Sequence, residues 1–382
     1  MNKILLICTF LALYATANAQ KLDKATAAKL SVSAVDAAKT DHRRQAAAAW
    51  QKKSISYGDK VMKFETRVFG QADAGKRSLY ISLHGGGNTQ PKVNDGQWEN
   101  QKKLYSPAEG LYFVPRAPTN TWNLWHEEHI DAMLDEVIKS AVVFEGVDPN
   151  RVYLLGYSAG GDGLYQLAPR MADRLAAASM MAGHPGDASA LPLRNLPFAI
   201  FMGGNDAAYD RNKLAAVWGK KLDSLEAADP GAYKHDVHIY EGLGHWMNRK
   251  DTVAISWMAG FKRNALPEKV IWVQDDRRHF DFYWLGTDTA SKAGDAARVL
   301  IRKDRNEIVL EANTFQSLAI YLNDDMLDLD RPVWLTSNGK TLFKGKLKRS
   351  AALIRASAAK RLDTAQVFSA GLRITHGRAT AL

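Results

Sequence analysis

Val152-Tyr153-Leu154-Leu155-Gly156-Tyr157-Ser158-Ala159-Gly160-Gly161 is the stretch on which the reading of this chain turns. Its first four residues form a short apolar run of the kind that makes a buried strand, and Asp162–Met171 beyond them has helical spacing. Ser158 therefore falls on a sharp strand-to-helix turn that lifts its hydroxyl out of a sheet. Gly156 and Gly160 suit such a turn, because a side chain two residues to either side would collide with the adjoining strand or helix. The helix start behind Ser158 adds free N–H groups and the positive end of a dipole. A Gly-x-Ser-x-Gly pattern alone is common, and its place between a strand and a helix is what makes it specific.

Upstream, His84-Gly85-Gly86-Gly87 closes the apolar run Leu79–Leu83. An oxyanion developing on a substrate needs backbone N–H groups free of side chains, and a glycine run supplies them. Gly86 and Gly87, with Ala159 beside the serine, are the expected donors. Downstream, Ala199-Ile200-Phe201-Met202-Gly203-Gly204-Asn205-Asp206 is a strand, two glycines and an acid. Val237-His238-Ile239-Tyr240-Glu241-Gly242-Leu243-Gly244-His245-Trp246 is a further strand followed by a histidine. Each interval between Ser158, Asp206 and His245 has room for one helix–strand unit. Asp206 follows its strand directly and is preferred over Asp210, which is expected to open the helix near Arg211 as its N-cap.

Strand-like runs at Met62–Phe69, Ser78–Leu83, Leu111–Val114, Arg151–Leu155, Ala176–Met181, Phe198–Met202 and Asp236–Tyr240 alternate with amphipathic stretches such as Glu127–Val143 and 211–226. That alternation predicts an α/β fold with a doubly wound, mostly parallel sheet, whose ligand site lies at the carboxyl ends of the strands. Beyond about residue 268 the runs become short and turn-bounded, Asn338-Gly339 is a hairpin signal, and a helix is expected at Ala351–Arg361. The expected layout is a peripheral N-terminal segment of one or two helices over 20–60, a catalytic domain over 61–266 and a small β-sandwich-like domain over 267–382.

With these residues in place, residues 78–260 resemble the α/β-hydrolase superfamily. Within it they are similar to the secreted esterase branch of dienelactone hydrolases, feruloyl esterases and polyhydroxyalkanoate depolymerases. The resemblance rests on His84-Gly85-Gly86, the 156–161 elbow, Gly203-Gly204-Asn205-Asp206 and Gly244-His245-Trp246. The order Ser, Asp, His is also that of the superfamily. It implies acyl transfer, with Ser158 as nucleophile, His245 as general base and Asp206 orienting the imidazole. Prolyl-oligopeptidase-like peptidases share similar elbows, so the expectation is an ester hydrolase with a peptidase as the alternative. A non-catalytic binding protein on the same scaffold is a third reading, disfavoured by the full residue set.

Trp98, Trp122, Trp125 and Trp246 all follow strands on the expected rim, and with His184 they are candidate substrate contacts. No metal or other cofactor is expected: His126-Glu127-Glu128-His129 lacks the H-E-x-x-H spacing, and acids at a helix start answer its dipole. The formal charge of +10 is spread among acids without a basic run, which argues against nucleic acid; the expected partner is a small or polymeric ester. Lys3, the apolar run Ile4 to Ala15 and Ala17-Asn18-Ala19 read as an export signal cleaved after Ala19, too short in its apolar part to span a bilayer. Cys8, inside that segment, is the single cysteine of the sequence, so the mature chain is expected to have neither disulfides nor a thiol nucleophile. Oligomeric state is not legible in the sequence.

Overall fold

The computed structural model describes residues 22–382, so the expected export signal lies outside the described residues. The chain opens with α1 (Lys24–Gln51), followed by β1 (Ser54–Tyr57), β2 (Lys60–Phe69), β3 (Arg77–Leu83), α2 (Pro91–Leu104) and β4 (Gly110–Pro115). Next come α3 (Glu128–Phe144), β5 (Val147–Tyr157), α4 (Ala159–Arg170), β6 (Ala177–Met181), β7 (Phe198–Gly203), α5 (Arg211–Ala228), β8 (His235–Tyr240) and α6 (Val253–Ala259).

The first eight strands form one sheet in the order β1-β2-β4-β3-β5-β6-β7-β8. β1 and β2 run antiparallel, and every pairing from β4 through β3 to β8 is parallel. Its strands are apolar on both faces, as a sheet covered on both sides requires. Leu79, Ile81, Leu154 and Ile200 pack with α3, α4 and α5, whereas the alternating Tyr80, Tyr153, Leu155 and Phe201 pack with α2 and α6. This is the α/β-hydrolase fold. It places the turns after β3, β5, β7 and β8 at one end of the sheet.

The N-terminal segment holds a single helix followed by β1, and α1 lies on the surface with Ala27, Val35 and Ala46 as its buried residues. Val35 is fully buried, and Trp50 at the end of α1 stacks on Phe113 and Phe144 at 6.1 and 5.9 Å.

The C-terminal part contains β9 (Lys269–Val273), β10 (Asp281–Phe282), β11 (Leu285–Gly286), β12 (Ala296–Arg302), β13 (Glu307–Asn313) and β14 (Ser317–Leu322). It continues through β15 (Val333–Ser337), β16 (Lys340–Gly345), α7 (Ala351–Arg361), β17 (Ala370–Thr375) and β18 (Arg378–Ala381). These strands make two five-stranded sheets, β10-β11-β14-β17-β18 and β16-β15-β13-β12-β9, antiparallel except for the parallel pair β13 and β15. Asn338 and Gly339, both at positive φ, form the two-residue turn that pairs Ser337 with Lys340. β10 and β11 pair across a turn at Tyr283, whose φ is 54°.

Val270, Trp284 and Leu372 belong to the same continuous core as Leu154 and Phe198, and ion pairs such as Arg263–Asp363 and Arg361–Asp173 also join the two parts. Among the described residues, no helix is long and apolar enough to cross a membrane.

Candidate active site

β5 delivers the chain to Ser158 with φ 57° and ψ −120°, a conformation that a residue with a side chain adopts at a cost of order 1–3 kcal/mol. The turn is over-determined by its surroundings. Ser158 N–H donates to the Met181 carbonyl at 2.9 Å on the neighbouring strand. A Cβ on Gly156 would stand 2.2 Å from the Gly160 carbonyl oxygen, and one on Gly160 would stand 2.4 Å from that of Leu83. Both glycines are therefore required by close backbone approach, and the serine side chain projects over the N-terminus of α4.

Asp206 is buried in the loop after β7, where its N–H donates to Gly203 and its carbonyl accepts from Asn212 N–H. Its Oδ2 lies 2.7 Å from His245 Nδ1, and His245 Nε2 lies 2.9 Å from Ser158 Oγ. An ionised carboxylate can only accept, so Nδ1 carries the proton and Nε2 presents its lone pair to the serine hydroxyl. Such a series can withdraw a proton from the hydroxyl as its oxygen attacks a carbonyl. Asp210 lies outside this series, exposed and paired with Lys213 at 2.7 Å. It does stand at the start of α5, but in a left-handed conformation with no side-chain cap, contrary to the expected N-cap role.

The glycine loop needs one correction. Gly87 N–H donates to the Asn94 side-chain oxygen at 2.8 Å, so it is occupied within the protein and is not a free oxyanion donor. Among the described residues Gly86 N–H makes no such bond, and Ala159 N–H is one of the donors of the first turn of α4 without a partner. These two remain beside Ser158. Gly86 has φ 107°, and a Cβ there would fall 2.1 Å from Asn94 Oδ1. His84 braces the loop from below. Ala117 N–H donates to its Nε2 at 3.1 Å, so the Nδ1 proton is the one that bonds the Gly85 carbonyl at 2.6 Å. Burial pushes its pKa down to about 4, which keeps it neutral.

Two clefts meet at this point. The first, about 590 Å³, is lined by Gly86, Ser158, His245, Trp246, Gln97 and Arg249. The second, about 320 Å³, lies beyond Gly86 and Ala159 and is lined by Trp122, His126, Asp162, His184, Tyr209 and Arg211. The four tryptophans therefore divide. Trp122 and Trp246, 67% and 50% exposed, line the clefts. Trp125 is wholly buried and donates to the His84 carbonyl at 2.7 Å, so it supports the glycine loop from inside. Trp98 lies on α2, not on a loop, donates to the Val114 carbonyl at 3.0 Å and lies under Lys102 Nζ at 3.5 Å. His184 does line the second cleft.

Sequence reasoning missed Asn94, Tyr157 as a bracing residue, and Arg211. Tyr157 lies inside the quoted motif, but its hydroxyl bonds the backbone of His245 and Met247, 88 and 90 residues downstream. Arg211 carried no motif. Among the described residues, no group of three or more His, Cys, Asp or Glu side chains is placed to hold a metal ion.

Fold and site thus define a protein with the α/β-hydrolase architecture and a Ser–His–Asp hydrogen-bonded series at its strand ends. Among solved structures, the chain is similar to a thermostable esterase, at 18% identity and TM-score 0.41, over 55% of this chain and 62% of that one. It is also similar to a putative dienelactone hydrolase from Klebsiella pneumoniae, at 18% identity and TM-score 0.38, over 54% and 96% of the two chains. A feruloyl esterase module from Clostridium thermocellum complexed with sinapinate aligns at 12% identity and TM-score 0.38, over 55% and 86%. No protein-family model and no curated protein matches the chain.

Proposed function

We propose that this protein is a serine hydrolase that cleaves carboxylic esters through an acyl-enzyme formed on Ser158. The observation that carries this reading is the 2.7 and 2.9 Å series from Asp206 through His245 to Ser158, set on a strained turn beside two available N–H donors. In the first step His245 Nε2 takes the Ser158 proton while Oγ adds to the ester carbonyl. Gly86 and Ala159 N–H groups hold the resulting oxyanion. The protonated imidazole then gives its proton to the departing alkoxide, and the acyl group stays on Oγ. Water repeats the sequence, releasing the acid and restoring the serine. Asp206 keeps the imidazole in the productive tautomer and stabilises its charged form.

Ser158→Ala is expected to lower kcat on a p-nitrophenyl ester by about 10⁶ and to abolish fluorophosphonate labelling while the fold is retained. Asp206→Asn should lose about 10⁴ in kcat, and Asp210→Asn should remain near wild type. More than a few per cent of activity in the Ser158 variant would refute the assignment. We further propose export with cleavage after Ala19, which the pattern of residues 3–19 supports; N-terminal sequencing of secreted or periplasmic material tests it.

A further inference from the structure

Arg211 opens α5 and lines the second cleft with His126, Asp162, His184 and Tyr209. Its guanidinium lies over the Tyr209 ring, 4.9 Å from the centroid. Elsewhere, well-buried arginines hold carboxylates: Arg170 pairs with Asp131, Arg194 with Asp229, Arg263 with Asp363 and Arg349 with Asp324. Arg211 has no such carboxylate partner among the described residues; its Nε is buried with no hydrogen bond, as are those of Arg151 and Arg277.

Asp162 is no such partner. Its Oδ1 accepts the His184 N–H at 2.6 Å, and it makes no ion pair with Arg211. His184 Nδ1 accepts Gly186 N–H at 3.0 Å, which puts the proton of the neutral ring on Nε2 and makes that nitrogen a second donor. His126 is held neutral, burial pushing it down to about 4.

The chemistry fixes which half of a substrate would enter this cleft. The leaving oxygen must take its proton from His245 Nε2, and His245 lines the first cleft. The alcohol half therefore belongs there, and the acyl half extends past Gly86 and Ala159 into the second.

We propose that the second cleft is an acyl site selective for acyl groups ending in a carboxylate, bound by the Arg211 fork with His184 Nε2–H as second donor. This rests on the ester-hydrolase reading above. Arg is suited to it because its planar fork matches a carboxylate in a two-point contact.

The test compares kcat/KM within pairs of p-nitrophenyl esters that share a leaving group: monoglutarate against pentanoate, and 4-carboxybenzoate against 4-methylbenzoate. Wild type is expected to favour the anionic member of at least one pair by about tenfold or more, less so at high salt. Arg211→Met should bring that ratio to one or below, and Arg211→Lys should keep part of it. Fluorophosphonate labelling reports whether the serine remains reactive in each variant.

A wild-type ratio at or below one in both pairs, with Ser158-dependent cleavage of the neutral esters, overturns the inference and leaves the hydrolase reading standing. A preference that survives Arg211→Met overturns it equally. Failure of wild type to cleave any of the four esters or to take the label overturns the hydrolase reading, and the inference falls with it.

Discussion

The Tyr157 hydroxyl donates to the backbone carbonyl of His245 at 2.6 Å and accepts the N–H of Met247 at 3.2 Å. The residue preceding the proposed nucleophile thus holds the loop that carries the proposed base. The distance from His245 Nε2 to Ser158 Oγ is set partly through this phenol, and the two rings meet edge to face at 5.9 Å.

Tyr157→Phe removes both hydrogen bonds and leaves the ring packing. One such bond is worth about 1 kcal/mol net, so kcat should fall roughly threefold to thirtyfold with KM little changed. The positioning role also predicts slower fluorophosphonate labelling. A fall in melting temperature with unchanged kcat would instead make the tyrosine a purely structural brace.

Asn94 is buried, with Oδ1 on Gly87 N–H and Nδ2 donating to Asn120 at 2.8 Å. It shapes the glycine loop without being placed to touch substrate. Asn94→Ala is expected to loosen that loop and lower kcat by about tenfold to a hundredfold, less than deletion of a direct oxyanion donor costs. Steady-state kinetics on an acetyl ester would check it. An unchanged kcat would mean that Gly86 keeps its orientation without Asn94.

Acid should weaken the attachment of the C-terminal sheets. Asp131 on α3 accepts two bonds from Arg170 at 2.9 Å, and His279 Nε2, from the loop after β9, stands 3.0 Å from its Oδ1. Burial pushes the Asp131 carboxyl upward, but Arg170 and His279 more than offset this and hold it at about 2. A carboxylate whose folded pKa lies below its unfolded value of about 4 stabilises the fold above pH 4 and loses that contribution as pH falls toward 2. Denaturant melts at pH 7, 4 and 3 should show stability falling over the lower interval. Asp131→Asn should be less stable at pH 7 and show a shallower decline. Equal slopes for the two proteins would dismiss this ion pair as a source of acid sensitivity.

The parallel strands were legible because each is a short apolar run bounded by glycine or polar residues, and their ends fall within a few residues of those expected. α2 was not, because Pro91-Lys92-Val93-Asn94-Asp95-Gly96-Gln97-Trp98 has a glycine in its interior and no apolar stripe. Its fully buried residues, Asn94 and Gln101, are polar and satisfied by specific bonds to Asn120 and Ser82, which periodicity cannot reveal.

Ser158, Asp206 and His245 could be selected because the chemistry dictates residue type, order and position after strands. The fate of each glycine N–H could not, since it depends on a side chain seven residues downstream. Trp122 and Trp125 look alike in the sequence, yet one faces solvent and the other lies beneath the loop. Three positions along an irregular segment reverse direction with no period to read.

Ala27 and Val35 of α1 share a small hydrophobic cluster with Ile354 and Ala358 of α7 and with Val367. A chain made from its N-terminus exposes the apolar face of α1 long before α7 exists to cover it. Closing that contact links segments near opposite ends of the sequence, the kind of pairing whose loop-closure cost slows folding. α1 thus completes its packing only when the last part of the chain arrives, and in the interval this face is open to a chaperone or to a second unfinished copy.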